Sequence, residues 1–163
     1  MPDDTRSPFA RVDLFAKMGD ETLAGLDALG EDAEYEAGEH IVDQGVAPET
    51  GAAILHVITD GEATVQINGE DRDSLYPGDY FGEVALFDHA VPSATIIAGP
   101  AGLQARTLAR SPGFAALLGN QDFSETLVLA FCARLRDLQL YDVAWVSLWG
   151  HVPVRGHEGR IAE

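Results

Sequence analysis

Positive charge is scarce in this sequence. Ten lysines and arginines stand against 27 aspartates and glutamates, a formal charge of −17 over 163 residues. There is no basic cluster, and nucleic-acid affinity rests chiefly on cations that neutralise phosphates, so a general DNA- or RNA-binding role is disfavoured. An anionic membrane surface repels such a chain for the same reason. Cysteine is nearly absent: Cys132 alone closes no internal disulfide, and its place on an apolar helical stretch predicts a packed core thiol. No apolar run approaches the roughly 20 residues that span a bilayer; the longest, 52–58 and 143–149, are interrupted by His56 and Ser147. Residues 1–5 carry neither a cationic nor an apolar stretch, so no signal peptide is expected and the chain reads as cytoplasmic. What is present is 46% apolar and 23% charged, apolar enough to bury a core, in a length that fits one domain.

The first forty residues read as helical. Ser7-Pro8 is a capping hydroxyl followed by proline, leading into Phe9, Val12 and Phe15. Asp20 then caps a second segment with Leu23, Leu26 and Leu29 on one face, ended by Gly30. From Tyr35 to Leu108 short strands are expected at 39–43, 52–58, 62–67, 93–98 and 103–108. Turn signals separate them at Ala37-Gly38, Asp60-Gly61, Asn68-Gly69, Pro77-Gly78 and Gly99-Pro100. Alternation of Ala63, Val65 and Ile67 with Thr64 and Gln66 suits a strand with one wet face, and many short strands suggest a sandwich or jelly roll. Ser111-Pro112 restarts helix, with Phe114, Leu117 and Leu118 ended by Gly119-Asn120. A longer helix from about Asp122 carries Val128, Phe131, Leu135, Leu138 and Trp145 near a heptad spacing. The tail, 151–163, reads as irregular.

Helices, a glycine-punctuated β-roll and two more helices follow the order of the cyclic nucleotide-binding domain family, and specific residues carry the likeness. Tyr35-Glu36-Ala37-Gly38-Glu39-His40-Ile41 resembles that family's first hairpin, and Asp43-Gln44-Gly45 the turn after it. Pro77-Gly78-Asp79-Tyr80-Phe81-Gly82-Glu83-Val84-Ala85-Leu86-Phe87 resembles its Pro-Gly-Asp-x-Phe-Gly-Glu-hydrophobic-small-Leu signature. The resemblance is to the catabolite activator protein and protein kinase A regulatory subunit type. It implies an α+β fold, a jelly-roll-like β-roll flanked by N-terminal helices and a long C-terminal helix. It also implies a phosphate-binding cassette in which a glycine opens a short helix toward an anion. Glu83 would accept from a ribose hydroxyl, and an arginine further on would clamp the cyclic phosphate. Counting on from Glu83 without a gap puts Pro92 where that arginine belongs, followed by Ser93, Ala94 and Thr95. Proline offers neither a cation nor an N–H, and no Lys or Arg lies between Arg72 and Arg106. His89 is mostly uncharged near neutral pH, which leaves only distant Arg72 or Arg106 to swing in. Glu83 itself reads equally as a ribose ligand or as a residue bonding its own helix start, and Ser93 as a phosphate contact or a structural strand-start hydroxyl.

No catalytic constellation stands out: no nucleophile elbow, HExxH or P-loop is present, and His40, His56 and His89 lack metal-ligand spacing. Catalytic and metal residues are therefore expected to be none. The chain reads as a non-enzymatic, stand-alone domain over 1–142, with 143–163 as an apolar helix end and tail. Its candidate pocket residues are Phe81, Gly82, Glu83, Val84, Ala85, Pro92, Ser93 and Ala94. Its expected work is regulatory or accessory protein–protein interaction through the C-terminal helix at Phe131, Leu138, Tyr141, Trp145, Leu148 and Trp149. The partner is another protein or a second copy, with no nucleic acid and no membrane insertion. The bland reading of that helix end is that it folds back over its own β-roll. No cofactor is expected; the alternative function is a receptor for cAMP, cGMP or another small metabolite in the β-roll pocket.

Overall fold

The computed structural model describes residues 6–49 and 51–140, the last four by backbone alone. The Ser7-Pro8 start produces a 3-10 turn at Pro8–Arg11, the Ser7 hydroxyl accepting from the Phe9 N–H, and no longer helix. Single turns follow, with the Phe15 N–H on the Val12 carbonyl and the Met18 N–H on Phe15. They still deliver Phe9, Val12 and Phe15 to the core. Helix α1, Asp20–Leu29, is capped by Gly19 rather than Asp20, and its two leading acids, Asp20 and Glu21, suit the positive end of the helix dipole.

Among the described residues six antiparallel strands form one sheet: β1 (Glu31–Tyr35), β2 (His40–Val42), β3 (Ile54–Ile67), β4 (Glu70–Leu75), β5 (Tyr80–Phe81) and β6 (Thr95–Ala109). Long β3 and β6 pair along their length, β1 and β2 add to β6, and β4 and β5 add to β3. This is the β-roll expected from the resemblance. Two expectations change in detail. The stretches 52–58 and 62–67 join into one strand, as do 93–98 and 103–108, because their glycine turns act as bulges within paired strands. Gly61, at φ +82°, crosses so close to β6 that a Cβ on it would stand 2.3 Å from the Gly102 carbonyl oxygen. The other change is the presence of β1 and β4, whose sequences Glu-Asp-Ala-Glu-Tyr and Glu-Asp-Arg-Asp-Ser-Leu lack apolar alternation. Each is recruited by backbone pairing at a sheet edge, where exposed charged side chains are tolerated.

Alternation along β3 divides the core. Leu55 and Val57 face the helices and meet Phe9, Phe15, Leu26, Leu86 and Phe114. Ile58 and Ala63 face the roll interior with Phe81, Ile96, Leu103 and Ala105. Helix α2 (Glu83–Asp88) sits between β5 and β6 in the chain. Helix α3 (Pro112–Leu118) starts on the Ser111 hydroxyl, as its serine–proline pair predicts. Helix α4 (Gln121–Leu140) starts on Asn120, whose Oδ1 accepts from the Phe123 N–H at 3.1 Å.

The α4 seam splits. Phe123 and Leu127 are buried and Phe131 is packed against them, whereas Val128 and Leu135 are 60% and 57% exposed. Cys132 is exposed, not a packed core thiol: with Leu127 and Phe131 turned inward, the next position rotates outward. The side chain of Leu138, and Tyr141, Trp145, Leu148 and Trp149 with the rest of 141–163, lie outside the described residues. Among the described residues no helix is long and apolar enough to cross a membrane.

Candidate ligand cassette

The Pro77-Gly78 turn is stapled to β3: the Gly78 N–H donates to the Ile58 carbonyl and the Ile58 N–H to Asp79, both at 2.9 Å. The Asp79 carboxylate accepts from the Tyr76 N–H at 2.8 Å and closes the turn. Strand β5 then pairs Phe81 with His56, and Gly82 swings the chain into α2 with φ +86°. A Cβ at Gly82 would stand 2.2 Å from the Ile54 carbonyl oxygen, so both the left-handed conformation and the close approach demand glycine. Gly82→Ala is expected to lose on the order of 2–3 kcal/mol: about 1–2 kcal/mol of left-handed strain plus the cost of moving β3 aside. Urea unfolding measures it, and an unchanged midpoint would remove Gly82 as the pivot of the cassette.

Phe81 is buried; Gly82, Glu83, Ala85, Pro92 and Ala94 are half-buried; Val84 and Ser93 are exposed. Phe81 to Ala85 thus share one turn, while 92–94 form the return toward β6. The Pro92 carbonyl accepts from the Gly45 N–H at 2.8 Å, and the Thr95 hydroxyl accepts from the Gln44 N–H at 2.9 Å. The Asp43-Gln44-Gly45 turn therefore braces the 92–95 return.

The two flanking arginines are engaged away from the 92–95 return. Arg72 pairs with Glu70 at 2.7 Å, and Arg106 with Asp32 at 3.0 Å and the Asp27 carbonyl at 2.7 Å. Two other arginines reach α2 instead. Arg110 donates to the Leu86 carbonyl at 2.7 Å. Arg134, on α4, pairs with Glu83 at 2.8 Å, the two side chains 34% and 13% exposed, and its buried Nη1 has no hydrogen-bond partner among the described residues. Beside this pair Phe131 meets Phe87 edge-on, ring centroids 5.3 Å apart. Helix α4 is therefore fastened across α2 by one ion pair and one aromatic contact. Sequence reasoning missed Arg134 because it stands far along the chain from Glu83. The available signal was its three-residue spacing from Phe131, which puts both on one helix face.

Behind the cassette, His56 stacks flat on Phe81, centroids 4.5 Å apart and 9° from parallel, and its Nε2 lies 2.8 Å from the Tyr35 hydroxyl. Burial pushes the imidazole down to about 4, offset in part by the Ile54 backbone. Burial, with Glu39 adding to it, pushes the Tyr35 phenol up. Two surface clefts, one along Thr64, Arg72, Ser74 and Tyr76 and one along Glu34, Glu36, Asp60 and Gln104, do not include the cassette. Among the described residues no group of three or more His, Cys, Asp or Glu is placed to hold a metal.

A β-roll whose glycine pivot opens a short helix onto a half-buried glutamate is the architecture of cyclic nucleotide-binding domains. No family model matches the chain. It is 34% identical over 119 residues to a cGMP-dependent protein kinase of Caenorhabditis briggsae, covering 69% of this chain and 15% of the kinase. It is 40% identical over 94 residues to a cAMP-dependent protein kinase regulatory subunit of Eremothecium gossypii, covering 57% of this chain and 19% of the subunit. The chain thus spans under one fifth of either relative. Among solved structures it is similar to the N-terminal domain of a transcriptional regulator from Streptomyces coelicolor, with TM-score 0.67, 23% identity and 80% and 93% of the two chains covered. It is also similar to the regulatory subunit of a cAMP-independent protein kinase A from Trypanosoma cruzi bound to guanosine, with TM-score 0.63, 19% identity and 91% and 47% covered. The chain belongs with the cyclic nucleotide-binding domains, the family of its homologues and structural neighbours.

Proposed function

We propose that this domain is a non-enzymatic, cytoplasmic regulatory or accessory module that works through its C-terminal helix, its phosphate clamp being degenerate. The observation that carries the reading is the Glu83–Arg134 pair. Where the resemblance gives Glu83 a ribose hydroxyl to hold, it holds α4, and Pro92 leaves a cyclic phosphate without its clamping cation. Losing one partner of a buried charge pair costs about 2–5 kcal/mol. A site of about 1 µM is then weakened to about 30 µM or beyond. The cassette reads as a fastening for α4, with the outer face of that helix left to dock a protein or a second copy.

A second reading, a receptor for a small ligand, is favoured by the intact Gly82 pivot and the sheltered Glu83. With no cation at Pro92, an uncharged nucleoside suits such a site better than cAMP or cGMP, and the similar fold bound to guanosine supports that choice. Calorimetric titration with cAMP, cGMP and guanosine, repeated with Glu83→Ala, separates the two. Under the first reading all three bind more weakly than about 30 µM. Low-micromolar binding that Glu83→Ala abolishes would replace it with the second.

A further inference from the structure

The turn that joins β3 to β4 is Asn68-Gly69, two residues long. Both adopt positive φ, +54° and +78°, the conformation in which Asn-Gly closes a tight hairpin between strands of right-handed twist. Both are exposed, and a Cβ built on Gly69 meets nothing within 4 Å, so water reaches this peptide bond freely. The Asn68 amide is held at its oxygen alone. Its Oδ1 accepts from Gln44 Nε2 at 3.2 Å, while the Asn68 N–H donates to Gln44 Oε1 at 2.8 Å. Among the described residues neither the Asn68 Nδ2 nor the Gly69 N–H has a hydrogen-bond partner. Nucleophile and leaving group are thus adjacent, hydrated and unengaged. The chain's other asparagine is placed differently: the Asn120 Oδ1 caps α4 on the Phe123 N–H, and the next residue, Gln121, carries a side chain.

We propose that Asn68 is a site of spontaneous deamidation, and that its isoaspartate product loosens the 92–95 return. The step needs only water. Hydroxide removes the Gly69 amide proton, and that nitrogen, held next to its target by the chain itself, attacks the Asn68 Cγ. A C–N bond closes a succinimide ring, the Cγ–Nδ2 bond breaks, and Nδ2 leaves as ammonia with a proton from water. A water molecule then opens the ring at either carbonyl. Attack at Cγ restores the main chain and leaves aspartate. Attack at the main-chain carbonyl leaves isoaspartate, with the chain running through the side-chain carbon. The two products differ mechanically. Aspartate keeps an oxygen for Gln44 Nε2 and keeps the turn. Isoaspartate puts an extra main-chain carbon into a two-residue turn that has no slack, and draws residue 68 off Gln44. The disturbance travels because Gln44 is shared. Its own N–H donates to the Thr95 hydroxyl at 2.9 Å, and the Gly45 N–H donates to the Pro92 carbonyl at 2.8 Å. Hairpin tip, turn and return are one hydrogen-bonded line. The inference goes beyond the regulatory reading of the domain and does not rest on it.

Ageing the intact chain at mildly alkaline pH, followed by peptide mapping with mass spectrometry, tests the site. Asn68 should convert at least about tenfold faster than Asn120, one decade of rate, with isoaspartate marked by enzymatic methylation of its free α-carboxylate. An Asn68 that stays an amide, or converts no faster than Asn120, would overturn the assignment. Hydrogen exchange tests the consequence. In the separated isoaspartate form the Gln44 and Gly45 N–H groups should exchange at least about tenfold faster than in the parent, one decade in the local opening equilibrium. Amides of α1, remote from the turn, should be unchanged, and Asn68→Asp should exchange as the parent does. Unchanged Gln44 and Gly45, a rise shared by α1, or equal acceleration in Asn68→Asp would each overturn the link to the return. None of those outcomes touches the regulatory reading, which stands or falls on the nucleotide titration.

Discussion

Pro92→Arg raises the affinity of this domain for cAMP or cGMP by roughly thirty- to several-thousand-fold, the equivalent of the 2–5 kcal/mol carried by one partner of a buried charge pair. The site tolerates the change. Pro92 is half-buried, its backbone bond to Gly45 uses the carbonyl that any residue has, and the added N–H comes with a side chain long enough to reach water. The Gly82 pivot is in place and Glu83 stands beside it on Arg134 at 2.8 Å. A nucleotide has to take Glu83 from Arg134 in parent and variant alike, so the comparison isolates the charge at residue 92. Arginine suits the position better than lysine because its planar fork matches phosphate oxygens. Titration calorimetry of the variant against the parent reads the gain, and Glu83→Ala in the same background should remove most of it. A variant no tighter than the parent would mean that residue 92 does not face the phosphate, and the degenerate-clamp reading would fall with it.

The parts of this molecule that were legible in its sequence are the parts fixed by local backbone demands. Gly82 must be glycine because of one dihedral angle and one carbonyl, and such a requirement shows in a motif only eleven residues long, Pro77 to Phe87. The Ser111-Pro112 helix start is equally local. What escaped is what distant chain supplies. β1 and β4 are strands because β6 and β3 offer them hydrogen bonds, not because their acidic sequences favour it. Cys132 is exposed because Phe131 has a ring to meet on α2. Arg134 is the sharpest case. The span between Arg72 and Arg106 carries no Lys or Arg of its own, yet a cation is brought to Glu83 by the C-terminal helix. It is placed on Glu83, the carboxylate to which the resemblance assigns a ribose hydroxyl.

Acid should loosen the domain through His56. The imidazole is 5% exposed, lies flat on Phe81, and meets the Tyr35 hydroxyl at Nε2, while among the described residues Nδ1 has no partner in hydrogen-bonding geometry. Protonation would put an unshared charge in the roll interior, directly behind the residue that leads into Gly82. The sign follows from the two states. The ring titrates near 6.5 when unfolded and at about 4 when folded, so between those values the unfolded chain binds the extra proton. This contribution to stability is complete above pH 6.5, falls as pH drops through that window, and is gone below about 4. At about 1.36 kcal/mol per pH unit, the full loss is on the order of 3 kcal/mol. Protonating the carboxylates of a chain at −17 relieves mutual repulsion and works the other way, so the comparison that isolates His56 is with His56→Phe. That variant keeps the stack on Phe81 and leaves the Tyr35 hydroxyl unpaired, which lowers stability about equally at all these pH values. Its unfolding free energy should therefore lack the acid-side fall of the parent between pH 6.5 and 4. Parallel urea-unfolding profiles for the two proteins across that range would show that His56 is not buried in neutral form, and the packing behind the cassette would need to be redrawn.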